Sequence, residues 1–300
     1  MNVMDDLDDA SDRLAIARMR ATRLIETGIW NGLAYSDLQA WIANFKSPDE
    51  KLLASLLLDS FTFKSQEQLA AQIKACLTSS IPYSLANRSI DILNGIDFSS
   101  VLKKKYERNL TMYLVPVIRD IDPPTKSGPS VARQFKRLEC INEEYMIWPW
   151  QIRDKIASGG KIFIFIDDTL ATGEQFEGFL KQYVPSSYPD EVKFSYVPLV
   201  AHTSGLRRVE KLFPRISVCP VEVATVENSF FNNHLTKNYT DLKALYDEVV
   251  KRIFNKGFYK QSRYGYGDLA LTLSYNHSTP NATLPVYWYS SNNFHPLVRR

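Results

Sequence analysis

Asp167 and Asp168 stand side by side ahead of Thr169-Leu170-Ala171-Thr172-Gly173-Glu174-Gln175, and no other residues of the chain are better placed by type and spacing to do chemistry. Neighbouring carboxylates suit the hydroxyls of a sugar or a hard divalent cation, which prefers carboxylate, water and phosphate oxygen. The Thr-Gly step offers backbone N–H groups that, at the opening of a helix, cradle a phosphate monoester. The combination reads as a site for a phosphorylated sugar.

Such a pair needs a rigid element behind it. Ile162-Phe-Ile-Phe-Ile166 is an unbroken apolar run, the pattern of a central parallel strand buried on both faces. Its carboxyl end, where open α/β sheets hold their ligands, falls at the two acids, and a helix is expected from Glu174. Three other strand-end acid motifs fit less well. A dehalogenase-like phosphatase needs one residue between its two Asp, a P-loop needs a G-x-x-x-x-G-K-[ST] that occurs nowhere in the chain, and a receiver domain lacks the Thr-Gly turn. A purely structural strand-loop-helix stays open as the alternative.

The segment from Ile162 to Gly173 resembles the phosphoribosyl-pyrophosphate (PRPP) motif of type I phosphoribosyltransferases. The resemblance implies that Asp167 and Asp168 bind the ribose hydroxyls, directly or through Mg²⁺. It also implies that Thr169, Ala171, Thr172, Gly173 and Glu174 present amides to the 5′-phosphate, with the Thr172 hydroxyl adding a bond. Three positions depart from the pattern. Gln175 replaces the usual Thr or Ser, Glu174 adds a negative charge beside the anion turn, and Ala171 stands where some purine-salvage relatives carry a general-base Asp. Lys126-Ser127-Gly128, following Arg119-Asp120 and Pro123-Pro124, reads as a second anion loop for pyrophosphate, or equally as a solvated loop with a Ser cap. His202, before Thr203-Ser204-Gly205, reads as a hydrogen-bonded helix cap in preference to a catalytic group.

The elements around this motif alternate. Strands are expected at Thr111–Ile118, Ile162–Asp167, Phe194–Ala201 and Ile216–Ala224, and helices at Val131–Leu138, Glu174–Tyr183, Ser204–Leu212 and Asp241–Phe254, the signature of a parallel sheet. Before them the chain is helical. Leu14, Ala17, Ala21, Leu24 and Ile25 share one helical face ending at Gly28, and Ser36/Gln39, Ser47/Glu50 and Ser65/Gln68 each have capping-box spacing. Behind the caps, Leu38, Trp41, Ile42 and Phe45, then Leu52, Leu53, Leu56 and Leu57, read as core. Tyr145-Met-Ile-Trp148-Pro-Trp150 reads as a packing plug at a Pro turn or a hood over a ligand, and Leu284–Trp288 as an edge strand after a rigid Pro280-Asn281 turn.

Bulk properties exclude several classes. With 300 residues, 45% hydrophobic, the chain is long enough for a packed core, and 36 Lys plus Arg against 33 acidic residues leave a net charge of only +3. There is no global drive toward nucleic acid or an anionic membrane. Lys103-Lys104-Lys105 and Arg207-Arg208 read as solvated basic faces. Cys76, Cys140 and Cys219 lie in no C-x-x-C arrangement and read as buried thiols of a reducing compartment. Neither a secretory leader nor an apolar run of the ~18 residues needed to span a bilayer is seen, so the expected location is the cytoplasm, without membrane contact.

Across nearly its whole length the chain resembles a bacterial family of phosphoribosyltransferase-like proteins of conflict and defence gene clusters (PRTase-CE-like). Trp41-Ile-Ala-Asn-Phe45, Lys126-Ser-Gly128, Asp167 to Gly173, and Pro280-Asn281 through Trp288 to Phe294, Pro296 and Leu297 carry the resemblance in order. It implies an α/β fold, a type I phosphoribosyltransferase-like parallel sheet flanked by helices. An N-terminal helical region (1–105) would precede a core with a β-containing C-terminal extension (106–300). It further implies a retron-associated antiphage toxin effector using PRPP or a related nucleotide with Mg²⁺, and a reverse transcriptase–nucleic acid complex or an operon ATPase as partner. The alternative is a catalytically reduced PRPP or nucleotide sensor, or an interaction module.

Overall fold

A computed structural model describes residues 9–86, 98–103 and 111–300. The elements run α1 (Ala10–Glu26), α2 (Tyr35–Ile42), α3 (Pro48–Ser60), β1 (Thr62–Lys64), α4 (Gln66–Ala75), α5 (Ile81–Ala86), α6 (Phe98–Lys103), β2 (Met112–Pro116), α7 (Ser127–Glu139), α8 (Ile152–Ala157), β3 (Ile162–Leu170), α9 (Glu174–Tyr183), β4 (Lys193–His202), α10 (Thr203–Leu212), β5 (Ile216–Val218), β6 (Glu222–Ala224), α11 (Leu242–Ile253), α12 (Lys256–Ser262) and β7 (Leu273–Tyr275). The boundary expected at 105/106 lies outside the described residues. The chain forms two compact units: Ala70–Ala224 is one, and Met1–Leu69 joins Thr225–Arg300 in the other.

The unit of residues 70–224 is built on a parallel sheet in the order β2-β3-β4-β5, with β6 also on β4. Every residue of β2 is buried and all but Thr169 of β3, as expected of strands covered on both sides. Helices flank the sheet, so the fold is α/β and type I phosphoribosyltransferase-like. Phe165 meets Phe176 and Phe179 of α9 edge-on at 5.8 and 5.1 Å and stacks on Phe194 at 6.0 Å. These aromatic contacts fix the height of α9 above the strand that carries the acids.

Two boundaries in the sheet differ from the sequence reading. β3 continues to Leu170 because β4 is long enough to pair with it, matching Asp167 to Pro198 and Leu170 to Ala201. Both acids therefore sit inside the ladder. The fourth strand breaks into β5 and β6 at Pro220, which has no N–H to give to the ladder.

In the other unit, Leu14, Ala17 and Ala21 of α1 join Leu38, Trp41, Leu52, Leu53 and Leu57 in one core with Tyr246, Val250, Leu284, Tyr287 and Leu297. Gly28 follows α1 with φ at 75°. The Ser47/Glu50 box forms with Pro48 leading α3, and Ser65 and Gln68 exchange the same pair of bonds. Ser36 caps nothing. α2 opens one residue before it, with Ala34 at the cap position and no side-chain bond. Leu284–Trp288 is not an edge strand, since Pro285–Tyr287 is a buried 3-10 turn; the β segment of this region is β7, parallel to β1.

Smaller readings also resolve. Tyr145 and Ile147 are buried as a plug, while Trp148 and Trp150 are half exposed and stack on one another at 5.1 Å. Cys76 is buried, but Cys140 is exposed at the left-handed C-cap of α7, where burial is not available to it. Lys104 and Lys105 lie outside the described residues. Among those described, no helix is long and apolar enough to cross a membrane.

Candidate functional site

The site is assembled from the exits of β2, β3 and β4. After β3 the chain passes Ala171 and Thr172, turns at Gly173 and enters α9 at Glu174. Gly173 has φ at 84°, a left-handed conformation that a side chain strains. Thr169, Ala171 and Thr172 are partly buried, Gly173 is buried and Glu174 is exposed. The Thr172 hydroxyl accepts a long bond, 3.5 Å, from the Glu174 N–H.

Asp167 and Asp168 retain only 4% and 5% of their exposure. Asp167 Oδ1 accepts from the Ser127 hydroxyl at 2.8 Å and from the Asp168 N–H at 2.9 Å. Burial, and then the neighbouring Asp168 charge, hold the Asp167 carboxyl well above the ordinary Asp value; Ser127, the Asp168 N–H and the Lys126 charge pull the other way and lose. Asp167 thus keeps its proton more readily than an exposed carboxyl.

The loop after β2 reaches the same place. Lys126 is the N-cap of α7, Ser127 its first residue, and Gly128 lies so close to β2's exit that a Cβ there would be 2.5 Å from the Val117 carbonyl. Ser127 is not the helix cap; it is partly buried and its hydroxyl donates to Asp167. Lys126 Nζ donates to Gln175 Oε1 at 3.2 Å. The residue that departs from the PRPP pattern therefore ties the two expected anion loops together.

From β4 comes His202, the cap of α10. Its Nδ1 accepts from the Ser204 N–H at 3.2 Å and pairs with the Ser204 hydroxyl at 2.7 Å. The structural reading of this histidine holds. Arg208, one turn on, reaches Glu177 Oε2 with Nε at 2.6 Å and Glu174 Oε1 with an outer nitrogen at 3.3 Å. Arg208 is thus not simply a solvated cation, and the three-residue spacing of Glu174 and Glu177 is the sequence signal that one cation serves both.

A profile of the PRTase-CE family matches residues 38–300. The chain belongs to the PRTase-CE family. Membership brings a phosphoribosyltransferase-like function and covers the acid pair, both loops and the terminal segment. No curated protein matches the chain. A solved structure of the AQ2163 protein from Aquifex aeolicus is similar over 64% of this chain and 83% of its own, at 16% identity and a TM-score of 0.30, a likeness too slight to carry an argument.

A divalent cation would meet two adjacent carboxylates here, and among the described residues no group of three or more His, Cys, Asp or Glu is gathered for a metal. That donor set does not make a resident metal cage. The two carboxylates would suit a hard divalent cation such as Mg²⁺ that arrives with a diphosphate.

Proposed function

We propose that this PRTase-CE protein is a transferase of antiphage defence that takes ribose 5-phosphate from PRPP with Mg²⁺. In such a reaction the bond from the anomeric carbon to pyrophosphate breaks, and an acceptor captures the cationic ribose. The supporting observation is that the exits of β2 and β3 meet: buried acids on β3, the left-handed Gly173 turn into α9, and the Lys126-Ser127 loop after β2, bonded to Gln175 and Asp167 at 3.2 and 2.8 Å. Positioning and charge carry most of such a catalysis.

Each residue then has a task. The Asp167–Asp168 pair holds the ribose hydroxyls and opposes the positive charge that grows on the ring. The amides from Ala171 to Glu174 take the 5′-phosphate. Lys126 faces the diphosphate, leaving Gln175 when the ligand arrives. When bound, Mg²⁺ supplies neutralisation of the departing pyrophosphate. Burial and the Asp168 charge hold Asp167 toward its protonated form, so binding that uses the ionised carboxylate should strengthen as pH rises.

A second reading, a sensor that binds PRPP or a nucleotide without turnover, is favoured by Ala171 at the general-base position and by the engagement of Ser127, Asp167, Lys126 and Gln175 with one another. On either reading the partner is a reverse transcriptase–nucleic acid complex or an ATPase of the same operon. Pyrophosphate release from PRPP, followed with pools of nucleobases and nucleotides, separates the two. Turnover lost in Asp168→Asn supports the transferase, and Mg²⁺-dependent binding with no release over hours supports the sensor.

A further inference from the structure

The acid at the mouth of the proposed phosphate turn has a counterweight. Glu174 is the first residue of α9 and Glu177 lies one turn further, so two carboxylates stand over the helix end whose amides would receive a dianionic phosphate. Left alone they oppose that ligand, because like charges near a helix N-terminus cancel the benefit of its dipole. Arg208 of α10 contacts both, at 3.3 and 2.6 Å, and Lys181 adds a second cation to Glu177 at 2.6 Å. The Glu177 carboxyl is accordingly held below the usual range, by Lys181 first and Arg208 next.

Packing fixes where Arg208 can stand. A Cβ on Gly173 would lie 3.3 Å from Arg208 Cδ and 3.3 Å from the Gly205 carbonyl, so the arginine stem rests directly on the turn. Gly205 is pressed against it from below, where a Cβ would be 2.4 Å from the Ala171 carbonyl, and the Ser204 hydroxyl oxygen lies 3.4 Å from the same carbonyl. The first two turns of α10 therefore back the phosphate turn while its arginine binds the two acids in front.

Resting on the proposed PRPP reading, we propose that Arg208 is a positioning residue that cancels the Glu174 and Glu177 charge and holds the Glu174 carboxylate away from the amides of residues 171–174. Glu174 is then a compensated departure from the PRPP pattern. A phosphate monoester can dock beside it as long as the arginine is present.

Calorimetric titration of the full chain with ribose 5-phosphate, a probe that carries the monoester and lacks the diphosphate, tests this. Arg208→Gln should raise the dissociation constant about fivefold at low salt, in line with the ordinary strength of charge–helix-end interactions, and the deficit should shrink as ionic strength rises. Arg208→Lys should recover part of the loss. Removing the acid as well, in Arg208→Gln/Glu174→Gln, should return the affinity to that of the parent. Thermal midpoints of the variants identify any that fail to fold. If the parent binds and the double variant stays as weak as Arg208→Gln, or if Arg208→Gln binds like the parent, the charge-cancelling role is wrong while the PRPP reading stands. If the parent binds neither ribose 5-phosphate nor PRPP, both fall together.

Discussion

The two compact units cohere by different means. In residues 70–224 the chain runs continuously through a parallel ladder, and the strands β2, β3 and β4 pack almost wholly buried side chains between flanking helices. The other unit is sewn from two distant stretches of chain by aromatic residues with polar tips. Trp41 Nε1 donates to the Val286 carbonyl at 2.8 Å while its ring stacks on Tyr287, and the Tyr287 hydroxyl donates to the Leu57 carbonyl at 2.8 Å. A parallel ladder organises one unit, and in the other an apolar core is tied across the two stretches by side-chain-to-backbone bonds. The ladder keeps the two carboxylates buried at fixed places, because β4 continues alongside β3 past both of them, from Asp167–Pro198 to Leu170–Ala201.

Core truncation gives the largest expected effect and sets the units against each other. Trp41→Ala and Phe165→Ala should each cost about 3–5 kcal/mol of unfolding free energy, the usual range for a large aromatic removed from a packed core. Trp41→Ala should exceed what its volume predicts, because the Val286 carbonyl also loses its donor. Urea unfolding measures both; equal losses would deny the polar anchor any importance.

A smaller effect concerns the buried carboxyl in the ladder. With burial and the Asp168 charge raising the folded-state value of Asp167, the unfolded chain gives up that proton first. Wild-type stability should then fall as pH rises from near 4 through the folded-state value, by at most about 1.4 kcal/mol per pH unit for one proton. Asp167→Asn keeps an acceptor for Ser127 and for the Asp168 N–H but has no proton to lose. Its urea midpoint should overtake the wild type toward pH 8, and parallel pH profiles would show the carboxyl to be ionised at no cost.

Helix caps give the smallest effect. Ser47→Ala should cost about 1 kcal/mol, since the hydroxyl accepts from the Glu50 N–H at the head of α3, whereas Ser36→Ala should be neutral. Differential scanning calorimetry resolves the pair, and equal shifts would mean that spacing alone, without the cap geometry, was at work.

What could be read from the sequence follows the same division. The apolar Ile162–Ile166 run, the acids and the Thr172-Gly173 turn are local signals, and they place β3 and α9 to within three residues of their ends. The length of β3 was not legible because Thr169 and Leu170 join the strand only through β4. The joining of Met1–Leu69 with Thr225–Arg300 left no periodic trace, since Trp41–Val286 and Tyr287–Leu57 are contacts between residues far apart in sequence. Leu284–Trp288 shows the hazard: β-prone residues after a proline turn became a 3-10 turn because packing around Tyr287 decided the backbone. At the site, Gln175 looked like a lost phosphate ligand until Lys126 was found on it, and Arg208 looked solvated until α10 placed it over Glu174.

The central claim is that a sugar diphosphate docks where β3 hands over to α9. Titrating PRPP into the full chain by calorimetry, with and without Mg²⁺, tests it most directly. Binding that requires Mg²⁺ and is lost in Asp168→Asn is the predicted result. Heats that are the same with and without Mg²⁺ and unchanged in Asp168→Asn would contradict it.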